Sequence, residues 1–147
     1  VDLNKLIARS LNLHKLSEAD TNIIFSKGKL PYMINGDEEQ LNRVFINLVK
    51  NSIESINEKK SKNVGFKGKI DVDIKEDSDY IYVTIIDNGM GFHKVDKTKM
   101  LTPYFTTKKK GTGLGLAIVT KIISDHNSII LFNSIKDGAK VEIIIPK

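Results

Sequence analysis

Cysteine and tryptophan are absent from this 147-residue sequence, and proline occurs only three times. Without cysteine, disulfides, zinc–thiolate centres and thiol nucleophiles are excluded. The three histidines, His14, His93 and His126, lie far apart with no ligand spacing, which argues against a histidine-rich metal site. Apolar runs last only a few residues, too short to cross a bilayer, and no signal-peptide pattern opens the chain. Arginine is nearly missing as well, since Arg9 and Arg43 stand alone among 23 basic residues. What remains is ordinary for a globular domain: 40% hydrophobic and 28% charged residues, with length for one domain, 1–147, and a sizeable core.

The net charge of +5 is concentrated in one place. Residues 92–110 hold Lys94, Lys97, Lys99, Lys108, Lys109 and Lys110 against a single acid, Asp96, so the rest of the chain balances. A nucleic-acid binder spreads its basic residues along a stripe, commonly with arginine and aromatics, and none is expected here. A confined surplus ending in glycines suits a compact polyanion such as a nucleotide triphosphate, or equally a solvated lysine-rich loop.

Apolar spacing at Leu3, Leu6, Ile7, Leu11 and Leu13 predicts an amphipathic helix over 2–16, followed by a short strand, Ile23–Lys27. Asp37 with Gln40 three residues on reads as a capped helix start. The stripe Leu41, Val44, Phe45, Leu48, Val49, Ile53 and Ile56 carries that helix to about residue 58, with a polar loop over 57–69. Alternating Ile70–Lys75 and Tyr80–Asp87 predict a hairpin. Residues 88–113 show punctuation without periodicity and read as a long mobile, functional segment. A second helix, Leu114–His126, ends at Asn127, and a last hairpin pairs Ile129–Asn133 with Lys140–Ile145 across Asp137-Gly138. The expected fold class is α/β: a two-layer sandwich with a mixed sheet covered on one face by three helices.

Three groups of residues can carry chemistry. Asn47 and Asn51, four apart, project from one helix face and offer neutral oxygens to a hard cation such as Mg²⁺ without repelling phosphates. Taken alone they are more simply a polar face, with Glu54 beside them. Asp87-Asn88-Gly89-Met90-Gly91 puts a carboxylate at a strand end, able to accept from the amino group of a base, or else forms a plain turn. Gly111-Thr112-Gly113-Leu114-Gly115-Leu116 opens a helix and frees backbone N–H groups for an anion. It has neither the spacing of a Rossmann fingerprint nor the Gly-Lys-Ser/Thr of a Walker A loop. Thr102-Pro103-Tyr104-Phe105-Thr106-Thr107-Lys108 stands between the glycine groups, its aromatics suited to docking the segment or to core packing.

In this order the motifs resemble the N, G1, F and G2 boxes of the ATP-binding catalytic domain of sensor histidine kinases, the Bergerat or GHKL fold. Gly138 and the strand after it resemble the final glycine box. The resemblance covers essentially the whole chain, and Asn-Leu-Val-Lys-Asn-Ser with Thr-Pro-Tyr-Phe-Thr-Thr-Lys is most similar to nitrogen-regulation (NtrY/NtrB-type) sensor kinases.

The resemblance implies ATP and Mg²⁺ as cofactors. Asn51 corresponds to the magnesium ligand and Asn47 to its supporting partner, while Asp87 would read the adenine amino group between Gly89 and Gly91. Gly111, Gly113 and Gly115 would let the lid hinge and the phosphates seat, Lys108 would stand near the γ-phosphate, and Thr107, Thr112 and Leu114 would complete the nucleotide-binding set. Residues 92–112 would form the ATP lid, and Asn47 and Lys108 would be the catalytic residues. Glu54 stands where many members carry Lys or Arg, and Ala139 and Lys140 follow Gly138 where the family often offers threonines. No histidine has the context of a phosphoacceptor, so the expectation is the kinase half alone, inactive in autophosphorylation by itself. Its partners would be a dimerisation hairpin carrying the acceptor histidine and a response regulator downstream. The isolated domain is expected to be a cytoplasmic monomer and the full kinase a homodimer, for which an inner-membrane anchor is compatible. The alternatives are a GHKL-type switch ATPase, as in type II topoisomerases, Hsp90 chaperones and mismatch-repair proteins, or a nucleotide-free protein-binding module. The switch ATPases use a glutamate one turn before the magnesium Asn to activate water; Asn47 stands there instead, a carboxamide that cannot act as a general base.

Overall fold

Leu3, Leu6, Ile7 and Leu11 form the buried stripe of α1 (Leu3–Ser17). Leu13 does not join it: two residues beyond Leu11 it points to the other side of a 3.6-residue helix, and it is 55% exposed. The structure, a computed structural model, describes residues 1–17, 21–26, 28, 31–91 and 115–147. Strand β1 (Thr21–Ser26) begins two residues before the predicted Ile23 and buries Thr21 and Ile23 alternately with exposed Asn22 and Ile24.

Helix α2 (Glu38–Lys62) starts as its sequence dictates. The Asp37 side chain accepts from the Gln40 N–H at 3.0 Å, with Glu38 and Glu39 complementing the positive end of the helix. Its buried residues Leu41, Val44, Phe45, Leu48, Val49, Ile53 and Ile56 each remove apolar surface worth about 1.5–3 kcal/mol for the larger side chains. The helix runs a turn past the predicted end near residue 58. Apolar periodicity stops at Ile56, but Lys59, Lys60 and Lys62 suit the negative end and Lys62 pairs with Glu58 at 3.7 Å, so the solvated turn persists.

Five strands form one mixed sheet in the order β1-β2-β3-β5-β4. β1 runs parallel to β2 (Gly68–Glu76) through the α2 crossover, while β3 (Tyr80–Asp87), β5 (Gly138–Pro146) and β4 (Ile129–Ile135) add antiparallel. Alternation sends Ile70, Val72, Ile74, Ile81, Val83, Ile85, Val141, Ile143 and Ile145 into the core shared with the helices. Helix α3 (Gly115–Asp125) packs along α2 and buries Val119, Ile122 and Ile123. Asn127 then takes the left-handed conformation, φ 56°, that ends the helix. The arrangement is the expected α/β sandwich, with three helices among the described residues.

The last hairpin differs from expectation in its turn. Ile135 pairs with Gly138, so Lys136 and Asp137 form the connection, and Asp137 itself takes φ 61°. Gly138 already belongs to β5. A Cβ there would run into the backbone carbonyl of Asp87, so this glycine serves the approach of β5 to the end of β3 rather than the turn.

Candidate functional site

Asp87 closes β3 in the middle of the sheet, its Cα flanked by Ile70 on β2 and Ala139 on β5. Only 6% of it is exposed. A carboxylate so placed needs hydrogen-bond donors, and its Oδ1 accepts the N–H of Gly89 at 2.9 Å as the chain turns away from the strand. The turn is pressed against α2. A Cβ on Gly89 would stand 2.8 Å from the backbone nitrogen of Ile56, closer than real contacts allow. Gly91 takes φ +75°, which only glycine adopts without cost, and a Cβ there would lie 2.7 Å from the carbonyl oxygen of Gly138. Three glycines, 89, 91 and 138, thus let three backbone segments meet around one carboxylate.

Helix α2 supplies the wall. Asn47, Asn51, Ser55 and Lys59 are spaced by four and share one strip of the helix. The Ser55 hydroxyl accepts the N–H of Met90 at 2.8 Å, and Lys59 Nζ donates to the carbonyl of Asn88 at 3.1 Å while standing 4.7 Å over the Phe66 ring. Half-buried Asn51 therefore lies one helical turn, about 6 Å of axis, from the residue touching the Asp87–Gly91 turn. Asn88 secures the other side: Nδ2 donates to the Lys67 carbonyl at 3.1 Å, and Oδ1 accepts the Lys69 N–H at 2.8 Å.

The structure brings Asp87, Gly89 and Gly91 together against α2 at Ser55, with half-buried Asn51 one turn and half-buried Asn47 two turns along that helix from the contact. Gly115 opens α3, and a Cβ on it would meet no described atom within 4 Å. Thr107, Lys108, Gly111, Thr112, Gly113, Leu114 and the whole 92–112 segment lie outside the described residues. Sequence reasoning missed Ser55 and Lys59, and gave Asn88 no role of its own within its motif. The four-residue spacing that singled out the two asparagines continues through Ser55 and Lys59, and that was the available signal.

Chemically, the arrangement offers a buried acceptor at the end of a central strand, a turn whose two glycines leave its backbone open, and two half-buried carboxamides farther along the same strip of α2. Among the described residues no group of three or more His, Asp or Glu could hold a metal ion by itself, and no helix is long and apolar enough to span a membrane.

The chain is similar to known proteins. Sporulation kinase A of Bacillus subtilis is 37% identical over 151 residues, covering 100% of this chain and 23% of that protein. A putative sensor histidine kinase NtrY-like of Rickettsia felis is 42% identical over 108 residues, covering 73% of this chain and 17% of its own length. The nitrogen-regulation type is thus among the relatives, alongside sensor kinases of other kinds. The chain spans less than a third of these relatives' length. The catalytic domain of histidine kinase ThkA superposes with a TM-score of 0.81 at 30% identity, covering 100% of this chain and 93% of that one. Residues 36–147 match the family HATPase_c, the histidine kinase-, DNA gyrase B- and HSP90-like ATPases, and the chain belongs to that family as a catalytic domain of the sensor histidine kinase type.

Proposed function

We propose that this chain binds Mg·ATP and donates the γ-phosphate to a histidine on a separate dimerisation hairpin of a sensor histidine kinase. The observation that carries the reading is Asp87: a buried carboxylate at a strand end, above a glycine turn that meets α2 at Ser55, itself one helical turn along from Asn51. Asp87 accepts a hydrogen bond from the exocyclic amino group of adenine, and the cradle of Gly89 and Gly91 lets the base approach the backbone.

The residues fit both cofactors. Carboxamide oxygens of Asn51 and Asn47 suit a hard cation that keeps waters and takes phosphate oxygens for its remaining ligands, and no self-sufficient acidic cluster competes for it among the described residues. Bound magnesium supplies charge that neutralises the transferring phosphoryl group. Lys108 adds positive charge near the γ-phosphate, and Thr107, Gly111, Thr112, Gly113, Leu114 and Gly115 seat the phosphates. Asn47 cannot take a proton from water, so hydrolysis stays slow and transfer to a protein acceptor is favoured. The reading includes a homodimeric full-length kinase and a response regulator that receives the phosphoryl group.

Labelled ATP with the chain alone should leave it unlabelled, and adding the dimerisation hairpin should give an acid-labile phosphohistidine on the hairpin. Rapid hydrolysis without transfer would identify a switch ATPase instead. Absence of nucleotide binding with or without Mg²⁺ would reject both.

A further inference from the structure

We propose that Ser55 and Lys59 are positioning residues for base recognition, acting through the Asp87–Gly91 turn; the inference rests on the adenine-binding reading of Asp87. The two side chains leave α2 one turn apart and grip the strand turn at two backbone atoms: the Met90 N–H on Ser55 Oγ at 2.8 Å and the Asn88 carbonyl on Lys59 Nζ at 3.1 Å. Between these grips sits Gly89, whose Cα is pressed against the α2 backbone, with Ile56 N 2.8 Å from where a Cβ would be. Gly89 in turn donates its N–H to Asp87 Oδ1 at 2.9 Å. The chain of contact therefore runs from α2 through Asn88 and Met90 to Gly89, and from Gly89 to the carboxylate.

Neither grip follows from helix formation. A serine hydroxyl inside a helix can donate to the carbonyl four residues back; its lone pairs are then still able to accept, and here they take the Met90 N–H of a strand turn 35 residues away. A lysine in a last helical turn ordinarily extends into solvent. Lys59 instead lies over the Phe66 ring, 4.7 Å from its centre, with its ammonium directed to a backbone oxygen 29 residues on. Two anchors on either side of a residue that cannot move toward the helix prevent the turn from sliding or rotating. Orientation of the carboxylate is thereby set before a ligand arrives, which reduces the ordering cost of binding.

The test is a set of mutant cycles on the 147-residue chain, reading ATP affinity by calorimetry and folding by urea denaturation. Ser55→Ala and Lys59→Met should each weaken ATP binding about three- to tenfold, the size expected of one lost hydrogen bond. Against an Asp87→Asn background each should cost little, because residues acting through one another are non-additive. Unchanged affinity in both single variants would overturn the proposal. So would full additivity with Asp87→Asn, which a merely structural role predicts. If Asp87→Asn alone leaves ATP affinity intact in a folded chain, the adenine reading fails, and this inference with it.

Discussion

The backbone N–H of Asp37 donates to Nε2 of His126 across 3.0 Å, joining the first turn of α2 to the end of α3. Nδ1 of the same ring lies 2.8 Å from the Ile122 carbonyl, an acceptor only, so the hydrogen is assigned to Nδ1 and Nε2 is left to accept. Asp37 thereby caps α2 with its side chain and binds α3 with its backbone.

Replacing His126 with alanine removes both bonds, of which the one to Asp37 ties the start of α2 to the end of α3. The expected loss is about 1–2 kcal/mol of unfolding free energy, because each such bond contributes about 0.5–1.5 kcal/mol net. Urea denaturation measures it, and hydrogen exchange at Leu41 and Val44 should show the start of α2 opening first. An unchanged midpoint would contradict the assignment of the bridge.

Asp87→Asn should separate binding from folding. Asparagine retains an oxygen able to accept the Gly89 N–H, so stability should change little. On the proposed reading, the variant would lose a charge-assisted bond to the adenine amino group; a bond to a charged group contributes about 1.5–3 kcal/mol, or about ten- to a hundredfold in ATP affinity. Calorimetric titration of the folded variant checks this.

The glycines around Asp87 differ from Gly115 in what a methyl would meet. Alanine at 89 or 138 drives a Cβ into backbone of α2 or β3, which cannot swing aside, and should cost about 1–3 kcal/mol or more. Alanine at 115 meets no described atom within 4 Å and begins a helix, so stability should stay level or rise by less than about 1 kcal/mol. Thermal denaturation of the three variants tests the ranking.

At the far end of β3 from Asp87, the Tyr82 hydroxyl donates to Asp77 Oδ2 at 2.7 Å, and Oδ1 accepts from the N–H groups of Asp79 and Tyr80. The Tyr82 bond, then the two backbone bonds, hold the Asp77 carboxyl below its ordinary value of 3.8. The same bond to Asp77 pushes the Tyr82 phenol up to about 12. For Asp77 the folded value is the lower one, so its contribution is present above the ordinary carboxylate range and lost as pH falls through the depressed value. For Tyr82 the folded value is the higher one, so its contribution is complete below about pH 10 and lost as pH rises through about 12. Tyr82→Phe should remove the late tyrosinate step from a spectrophotometric titration and move the Asp77 titration, followed by NMR, back toward 3.8. A titration curve lacking a step near 12 in the parent chain would refute the pairing.

Local physics made much of this protein legible in its sequence. The period of the apolar residues placed α1, α2 and α3, the Asp37 cap marked where α2 starts, and Asn127 adopts the left-handed conformation expected at a helix end. The order of the asparagines, Asp87 and the glycines identified the family, since each motif needs only its own few residues. Features that depend on how distant segments meet were decided by tertiary structure. Leu13 is apolar yet faces out because its phase around α1 misses the core, and α2 outlasts its apolar stripe because charge at its end sustains a solvated turn. Gly138 reads as a turn residue, but its contact with the Asp87 carbonyl is what requires it. The grip of Ser55 and Lys59 on the strand turn belongs with these: both are common helix-surface residues, and only the alignment of α2 against the end of β3 brings a hydroxyl and an ammonium to the two backbone atoms that a tight turn leaves unpaired.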